Sequence, residues 1–285
     1  GSGNSKTVYI SDRNVLPRVS LTATQGGRPT RIVTTTGGLV TVTAKFIDPN
    51  PSTSFIPDWS QTNKNLVPSA PPTNNFTFDP AGLSPGYYKV KFRAQEANTT
   101  ERYSTIMDLQ LRVVATAPAL QGDDDGDDIA SRDEGYGDVD QNGIPNYLDD
   151  DRRLGSHVLP GGLNNNKPNL AGYLLKTYPG LSLRLGDVAH VANGLVAGIN
   201  EAEIGLYGGG EGQLAPNATD DALNYGGHFD FQVHNLELPG GDVYVVIPLI
   251  NAIPTPAVYR QFTVAKGWHD FVTDGANNIY SAPGT

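Results

Sequence analysis

Asp138-Val139-Asp140-Gln141-Asn142-Gly143-Ile144-Pro145-Asn146-Tyr147-Leu148-Asp149 is the stretch on which the organisation of this chain turns. Oxygen-bearing side chains stand at positions 1, 3, 5, 9 and 12 of a twelve-residue loop: Asp138, Asp140, Asn142, Asn146 and Asp149. Gly143 holds position 6 and Ile144 position 7. A chain that wraps a hard cation uses this order, with alternate side-chain oxygens, one backbone carbonyl at position 7, a sharp turn and a closing carboxylate. An earlier copy places Asp123, Asp125, Asp127, Ser131 and Glu134 at the same positions, with Ile129 at position 7. Asp128 takes its turn position, where Asp tolerates left-handed backbone better than most residues. The spacing predicts two or more Ca2+ ions, held by these side chains and by the carbonyls of Ile129 and Ile144.

An acidic, glycine-dotted stretch is more often a solvated linker, because like charges repel. Here the carboxylates alternate with Gly and small residues instead of forming a block, and position 7 is β-branched and apolar both times. Charge is also local. Between Gly122 and Asp151 the chain holds twelve acids against one base, Arg132, whereas the remaining residues are close to neutral. The formal charge of -10 therefore belongs to this segment. No basic field exists for nucleic acid or anionic lipid. Without divalent ions the segment is expected to repel itself open, and with them to become a compact, stiff spacer held by metal more than by an oily interior.

The text from Asp138 to Asp149 resembles a bacterial thrombospondin type 3 repeat, which runs Asp-x-Asp-x-Asp-Gly-Ile/Val-Pro-Asp before a closing acid. Asp123-Asp124-Asp125-Gly126-Asp127-Asp128-Ile129 is similar, apart from Asp128. The resemblance covers about thirty residues and implies calcium-held repeats with little core. Asp149-Asp150-Asp151 implies that acids beyond the second loop, Asp151 among them, help share an ion.

The rest of the chain reads as all-β. Thirty-three Gly, twenty-one Pro and abundant Thr, Val, Tyr and Asn point to short strands joined by turns. There is no Cys, which excludes disulfides, thiolate metal sites and a Cys nucleophile. No run of eighteen apolar residues would span a membrane. Residues 1–14 are expected to be a tail, with Gly1-Ser2-Gly3 a cloning remnant and any export signal trimmed. Residues 15–116 carry three amphipathic strands of period two: Val40, Val42, Ala44 and Phe46; Tyr88, Val90, Phe92 and Ala94; Met107, Leu109, Leu111 and Val113. Such strands between Pro- and Gly-rich turns read as a β-sandwich. Gly86-Tyr87-Tyr88-Lys89-Val90 resembles the Gly-x-Tyr-x-Val hairpin of bacterial Ig-like and polycystic-kidney-disease-type (PKD) domains, and Asp58-Trp59-Ser60 looks like their central-strand Trp. Residues 117–121 form a connector and 122–153 the acidic repeats.

Residues 154–285 read as a second β-sandwich-like domain. Leu181 to Leu185 alternates with polar residues, as do Phe229, Phe231 and Val233. Val243 to Ile247 is a continuous apolar run suited to a strand buried on both faces, and strands follow over 258–264 and 268–272. Ala189 to Ile204, a candidate helix interrupted by Gly194 and Gly198, reads mainly as turn and strand. Gly240-Gly241-Asp242 through Pro248, Tyr259-Arg260 and Trp268 to Phe271 resemble a choice-of-anchor-type surface module. In that pattern the end at Ser281 to Thr285 is an unclosed loop, so the domain is expected to be cut before its last strands, leaving an edge open to pairing.

Other constellations weigh less. His228, Asp230 and His234 share a strand face, which suits zinc or catalysis, but period two also gathers every polar residue of an amphipathic strand on its wet face, and the wet face is the favoured reading. His157, His190 and His269 are isolated, and no Ser sits in a Gly-x-Ser-x-Gly elbow. Gly208-Gly209-Gly210 is a flexible turn and not a phosphate loop. Asn75, Asn98 and Asn217 open glycan-acceptor triplets that arise often by chance, and Tyr87 is expected to pack across strands. The sequence thus leads to a non-enzymatic, extracellular or surface-anchored bacterial adhesin or stalk segment, with calcium stiffening the connection between an Ig-like β-sandwich and a second β domain. Its expected partner is a cell-surface glycan or protein, or a downstream segment completing the last domain, with no nucleic acid and no membrane insertion. The alternative is a non-catalytic appendage of a secreted hydrolase that binds polysaccharide or peptide.

Overall fold

The structure is a computed structural model, and it describes residues 17–47, 54–97, 106–150, 157–162, 174–210, 213–220, 222–224, 226–236, 241–249, 252–274 and 277–282. The chain is β-rich, with few helices. Its first part holds β1 (Arg18–Gln25), β2 (Arg28–Pro29), β3 (Ile32–Thr34), β4 (Val40–Ile47), β5 (Phe55–Asp58), β6 (Asn75–Phe78), β7 (Gly86–Glu96) and β8 (Met107–Val114). They form two four-stranded sheets, ordered β2-β1-β4-β6 and β3-β8-β7-β5. Alternation decides which side chains meet. Val19, Leu21 and Ala23 of β1 and Val40, Val42 and Ala44 of β4 face Tyr88, Val90 and Phe92 of β7 and Met107, Leu109 and Leu111 of β8 in one buried cluster. Trp59 closes it, its ring 4.4 Å from that of Phe92 and its indole N–H donated to Thr73 O at 2.7 Å. A buried indole needs such a partner.

The acidic segment follows, with α1 (Ser131–Glu134) and a 3-10 turn at Asn146–Leu148. The last part holds β9 (Val158–Pro160), β10 (Leu174–Lys176), β11 (Ser182–Leu185), α2 (Asp187–Ala192), β12 (Gly198–Ile199), α3 (Glu201–Tyr207), β13 (His228–Phe229), β14 (Phe231–His234), β15 (Arg260–Thr263) and β16 (Gly267–Asp270). Its strands pair two by two: β9 with β10, β11 with β14, β12 with β13, β15 with β16. Leu159, Leu175, Leu183, Ala197 and Ile204 make its core, and Ile144 of the acidic segment belongs to the same cluster. Among the described residues no helix is long and apolar enough to cross a membrane.

Three local expectations change. Residues 189–204 form parts of two helices and a short strand. Asp230 accepts the N–H groups of Val188 and Ala189 at the start of α2, and a capping box between Asn200 and Glu203 starts α3. Val243 to Ile247 is not a strand buried on both faces. Only Val246 bridges to Lys176, while Val243, Tyr244 and Val246 are exposed and Val245 and Ile247 pack on the core. The polar sides of β11 and β14 are not wet. Ser182, Arg184 and His234 are buried, because the outer face of β7 and β8 lies against them. The proposed remnant at 1–14, Asn98, and Asp151 to Arg153 lie outside the described residues.

Candidate metal centre

The two acidic loops wind alike. Positions 4 and 6 both take left-handed backbone: Gly126 (φ 82) and Asp128 (φ 68) in the first loop, Gln141 (φ 64) and Gly143 (φ 99) in the second. The same five hydrogen bonds tie each. The position 1 carboxylate accepts the position 6 N–H, from Asp128 to Asp123 Oδ2 at 3.0 Å and from Gly143 to Asp138 Oδ2 at 3.1 Å. Position 3 accepts from position 5, as Asp125 Oδ1 does from Asp127 N at 3.2 Å and Asp140 Oδ1 from Asn142 N at 3.1 Å. Position 5 accepts from position 7, with Ile129 N to Asp127 Oδ1 and Ile144 N to Asn142 Oδ1 both at 2.8 Å. Position 9 accepts the position 2 N–H, from Asp124 to Ser131 Oγ and from Val139 to Asn146 Oδ1. Finally the position 9 N–H returns to the residue before the loop, Ser131 to Gly122 O and Asn146 to Gly137 O. Each loop then makes a helical turn, α1 or the 3-10 turn, and in the second loop position 12 meets position 5 through Asp149 and Asn142.

In the first loop Asp123, Asp125 and Asp127 bring one carboxylate oxygen each within 4.8 Å of one another. Asp123 is exposed, and the Gly126 and Asp128 N–H groups hold its pKa below the usual carboxylate range. Burial, followed by the neighbouring Asp127 and Asp123, pushes Asp125 up. Ser131 also donates to Asp124 Oδ2, and Ile129 and Glu134 are half-buried. In the second loop Asn142 is buried and its amide donates to Asp149 Oδ2 at 3.1 Å, joining positions 5 and 12. Asp140 is pushed up to about 8, chiefly by burial and then by the carboxylates of Asp138 and Asp149. Like charges raise one another in this way. Among the described residues, however, only the first loop brings three carboxylate oxygens within 4.8 Å of one another, and Asp138, Asp140 and Asp149 do not. Asp138 is the sharpest case: its side chain is 1% exposed and its Oδ1 has no hydrogen-bond partner among the described residues. Oxygen donors, carboxylate charge and an orphaned buried oxygen fit a hard divalent ion. When bound, such an ion would neutralise the carboxylates that otherwise repel.

The loops differ in setting. The first lies outside, whereas the second sits between the two β parts. Ile144 and Leu148 pack on the last domain's core, and Tyr147 is buried edge-on to Tyr136. Leu185 N–H donates to Asn142 O at 2.9 Å, and Arg184 Nη2 to Gln141 Oε1 at 2.8 Å. From the other side Arg31 pairs with Asp138, while its own N–H reaches Tyr136 O. The β parts also touch directly. Lys89 pairs with Asp187 and lies 3.5 Å from Asp108, and Arg184 Nη1 donates to Asp108 O at 3.2 Å. His190 and His234 sit among these cations. Burial, then Arg31, lowers His190 to about 3; burial, then Arg184, lowers His234 to about 4. Burial lowers Arg184 itself to about 10.

Sequence reading missed Arg31, Arg184 and Lys89. No local signal marks them, since Arg31 stands 107 residues from Asp138. His228, Asp230 and His234 do not converge: His228 meets Asn224 and Trp268, Asp230 caps α2, and His234 meets Gln232. Compared with known proteins, the chain matches no family model, no curated sequence and no solved structure.

Proposed function

We propose that the chain is a calcium-binding, non-enzymatic segment of a secreted or surface-anchored bacterial adhesin or stalk protein. The first domain is read as an Ig-like β-sandwich, the acidic segment as thrombospondin type 3-like repeats and the last domain as a choice-of-anchor-type module. One observation carries this reading. Two loops of different sequence share two left-handed positions and five hydrogen bonds, four of which are accepted by side-chain oxygens at the same loop positions. Left-handed backbone at Asp128 and Gln141 is a cost that a mere linker has no reason to carry.

The mechanism is mechanical. The ions neutralise Asp123, Asp125, Asp127 and Glu134 in one loop and Asp138, Asp140 and Asp149 in the other. Because the second loop is bonded to both β parts, its occupancy sets how firmly they are joined, and the joined unit presents its outer surfaces to a cell-surface glycan or protein. Isothermal titration with calcium tests this. Two sites are expected, with Asp125→Ala removing one and Asp140→Ala the other. Silence of the wild-type protein at millimolar calcium would refute the reading.

A further inference from the structure

We infer that Arg31 is a built-in counter-charge of the second loop's ion site, fixing that loop's preference for a divalent ion; this rests on the calcium reading above. Arg31 is 6% exposed and held at its backbone and at both terminal guanidinium nitrogens. Its N–H donates to Tyr136 O at 2.6 Å, its carbonyl accepts Arg112 N–H at 2.9 Å, and Nη1 donates to Gln110 O at 3.2 Å. Thus positioned by the first domain, Nη2 meets Asp138 Oδ2, which also takes the Gly143 N–H. Asp138 Oδ1, on the same buried carboxylate, has no partner among the described residues. One oxygen of Asp138 therefore serves the protein's own cation and the other is left to the loop.

Charge counting gives this geometry a consequence. Among the second loop's ligand positions the acids are Asp138, Asp140 and Asp149, three negative charges. Arg31 supplies one positive charge, so a divalent ion closes the sum to zero. A trivalent ion leaves a buried positive charge and a monovalent ion a buried negative one, both costly away from water. The other charges nearby are Lys89 and Arg184, which meet the half-buried Asp108 and the partly exposed Asp187. The first loop has a different arrangement. It has four acids at its ligand positions, and the segment's own base, Arg132, is exposed and turned to Asp133 at 3.7 Å. The two loops should therefore rank ions differently, and Arg31 is the specificity-determining residue of the second.

Terbium and calcium are titrated against the full chain and against Arg31→Gln and Arg31→Lys, with calorimetry for both ions and tyrosine-sensitised luminescence for terbium. In Arg31→Gln the terbium-over-calcium preference of one site rises by about tenfold or more, because a unit charge at short range weighs more on a trivalent ion. The other site is unchanged, and Arg31→Lys stays near wild type. If Arg31→Gln loses its thermal transition, Asp140→Asn carries the same test in the opposite sense, lowering that preference about tenfold. A folded Arg31→Gln protein with both sites unchanged overturns this inference alone. An Asp140→Asn protein with an unaltered preference takes Asp140 out of the site and overturns the calcium reading of the second loop along with the inference. A wild-type protein that takes up neither ion overturns the calcium reading and this inference with it.

Discussion

Replacing Ile144 by Ala separates a loop that is part of a domain core from one that merely lies beside it. Ile144 is 1% exposed and packs with Leu159, Leu175 and Leu183, although it is position 7 of the second acidic loop. Truncating a fully buried Ile costs the lost transfer energy plus the cavity left behind, about 3 kcal/mol. For a domain of this size that lowers the melting temperature by about 10 °C. Ile129, its counterpart in the first loop, is half-buried and joins neither core, so Ile129→Ala should cost about 1 kcal/mol or less. A ligand that binds only the folded state stabilises by mass action, by about 2.7 kcal/mol at a hundredfold excess over its Kd, and calcium bound as proposed would do so in both variants. Ile144→Ala should therefore stay below Ile129→Ala by a similar gap in chelator and in calcium. The assay is denaturant and thermal unfolding of both variants in each buffer. An Ile144→Ala protein within about 0.5 kcal/mol of wild type refutes the claim that the second loop is built into the last domain.

Acid should loosen the contact between the β parts. His190 and His234 have folded pKa values of about 3 and about 4, below the unfolded value, so their contribution is complete above pH 6.5 and is lost as pH falls toward 4. At pH 5 that is about 2 kcal/mol per ring, and urea midpoints at pH 7 and pH 5 for wild type and His234→Gln check it by a smaller drop in the variant. Lys89→Met removes the cation shared by Asp108 and Asp187, and since Asp187 is 39% exposed the expected loss is about 1–3 kcal/mol, read by unfolding in low and high salt. A methyl group on Gly198 would sit 2.3 Å from Gly162 O and 2.7 Å from Gly161 O, both backbone, so Gly198→Ala should destabilise the last domain by about 2–3 kcal/mol in calorimetry.

What was legible in the sequence was local. β4, β7 and β8 follow from strict alternation, because one face of each meets the same core. The repeat of the two loops was equally plain, since twelve consecutive residues in the same order close the same hydrogen bonds in both. Period two also showed that Arg184 and His234 lie on the polar sides of their strands, but it cannot say what covers that side. The cover is the outer face of β7 and β8, and the contacts of Arg184 with Asp108 and of Lys89 with Asp187 span 76 and 98 residues. The apolar run at 243–247 misled for a related reason, because composition reports affinity for a core and not the presence of a neighbouring strand. The helices at 187–192 and 201–207 were hidden because they are short and Gly194 and Gly198 stand between them. Asp230, 41 residues beyond Ala189, supplies the N-terminal acceptor that short-range reading could not see.

The central claim is that the two wound loops hold calcium, and its most direct test is anomalous scattering from a crystal grown in millimolar calcium. Two peaks are expected, one inside each loop, with oxygens of Asp123, Asp125 and Asp127 around the first and of Asp138, Asp140 and Asp149 around the second, at roughly 2.3–2.6 Å. Loops that keep the same hydrogen bonds in calcium, with no peak in either, would contradict it.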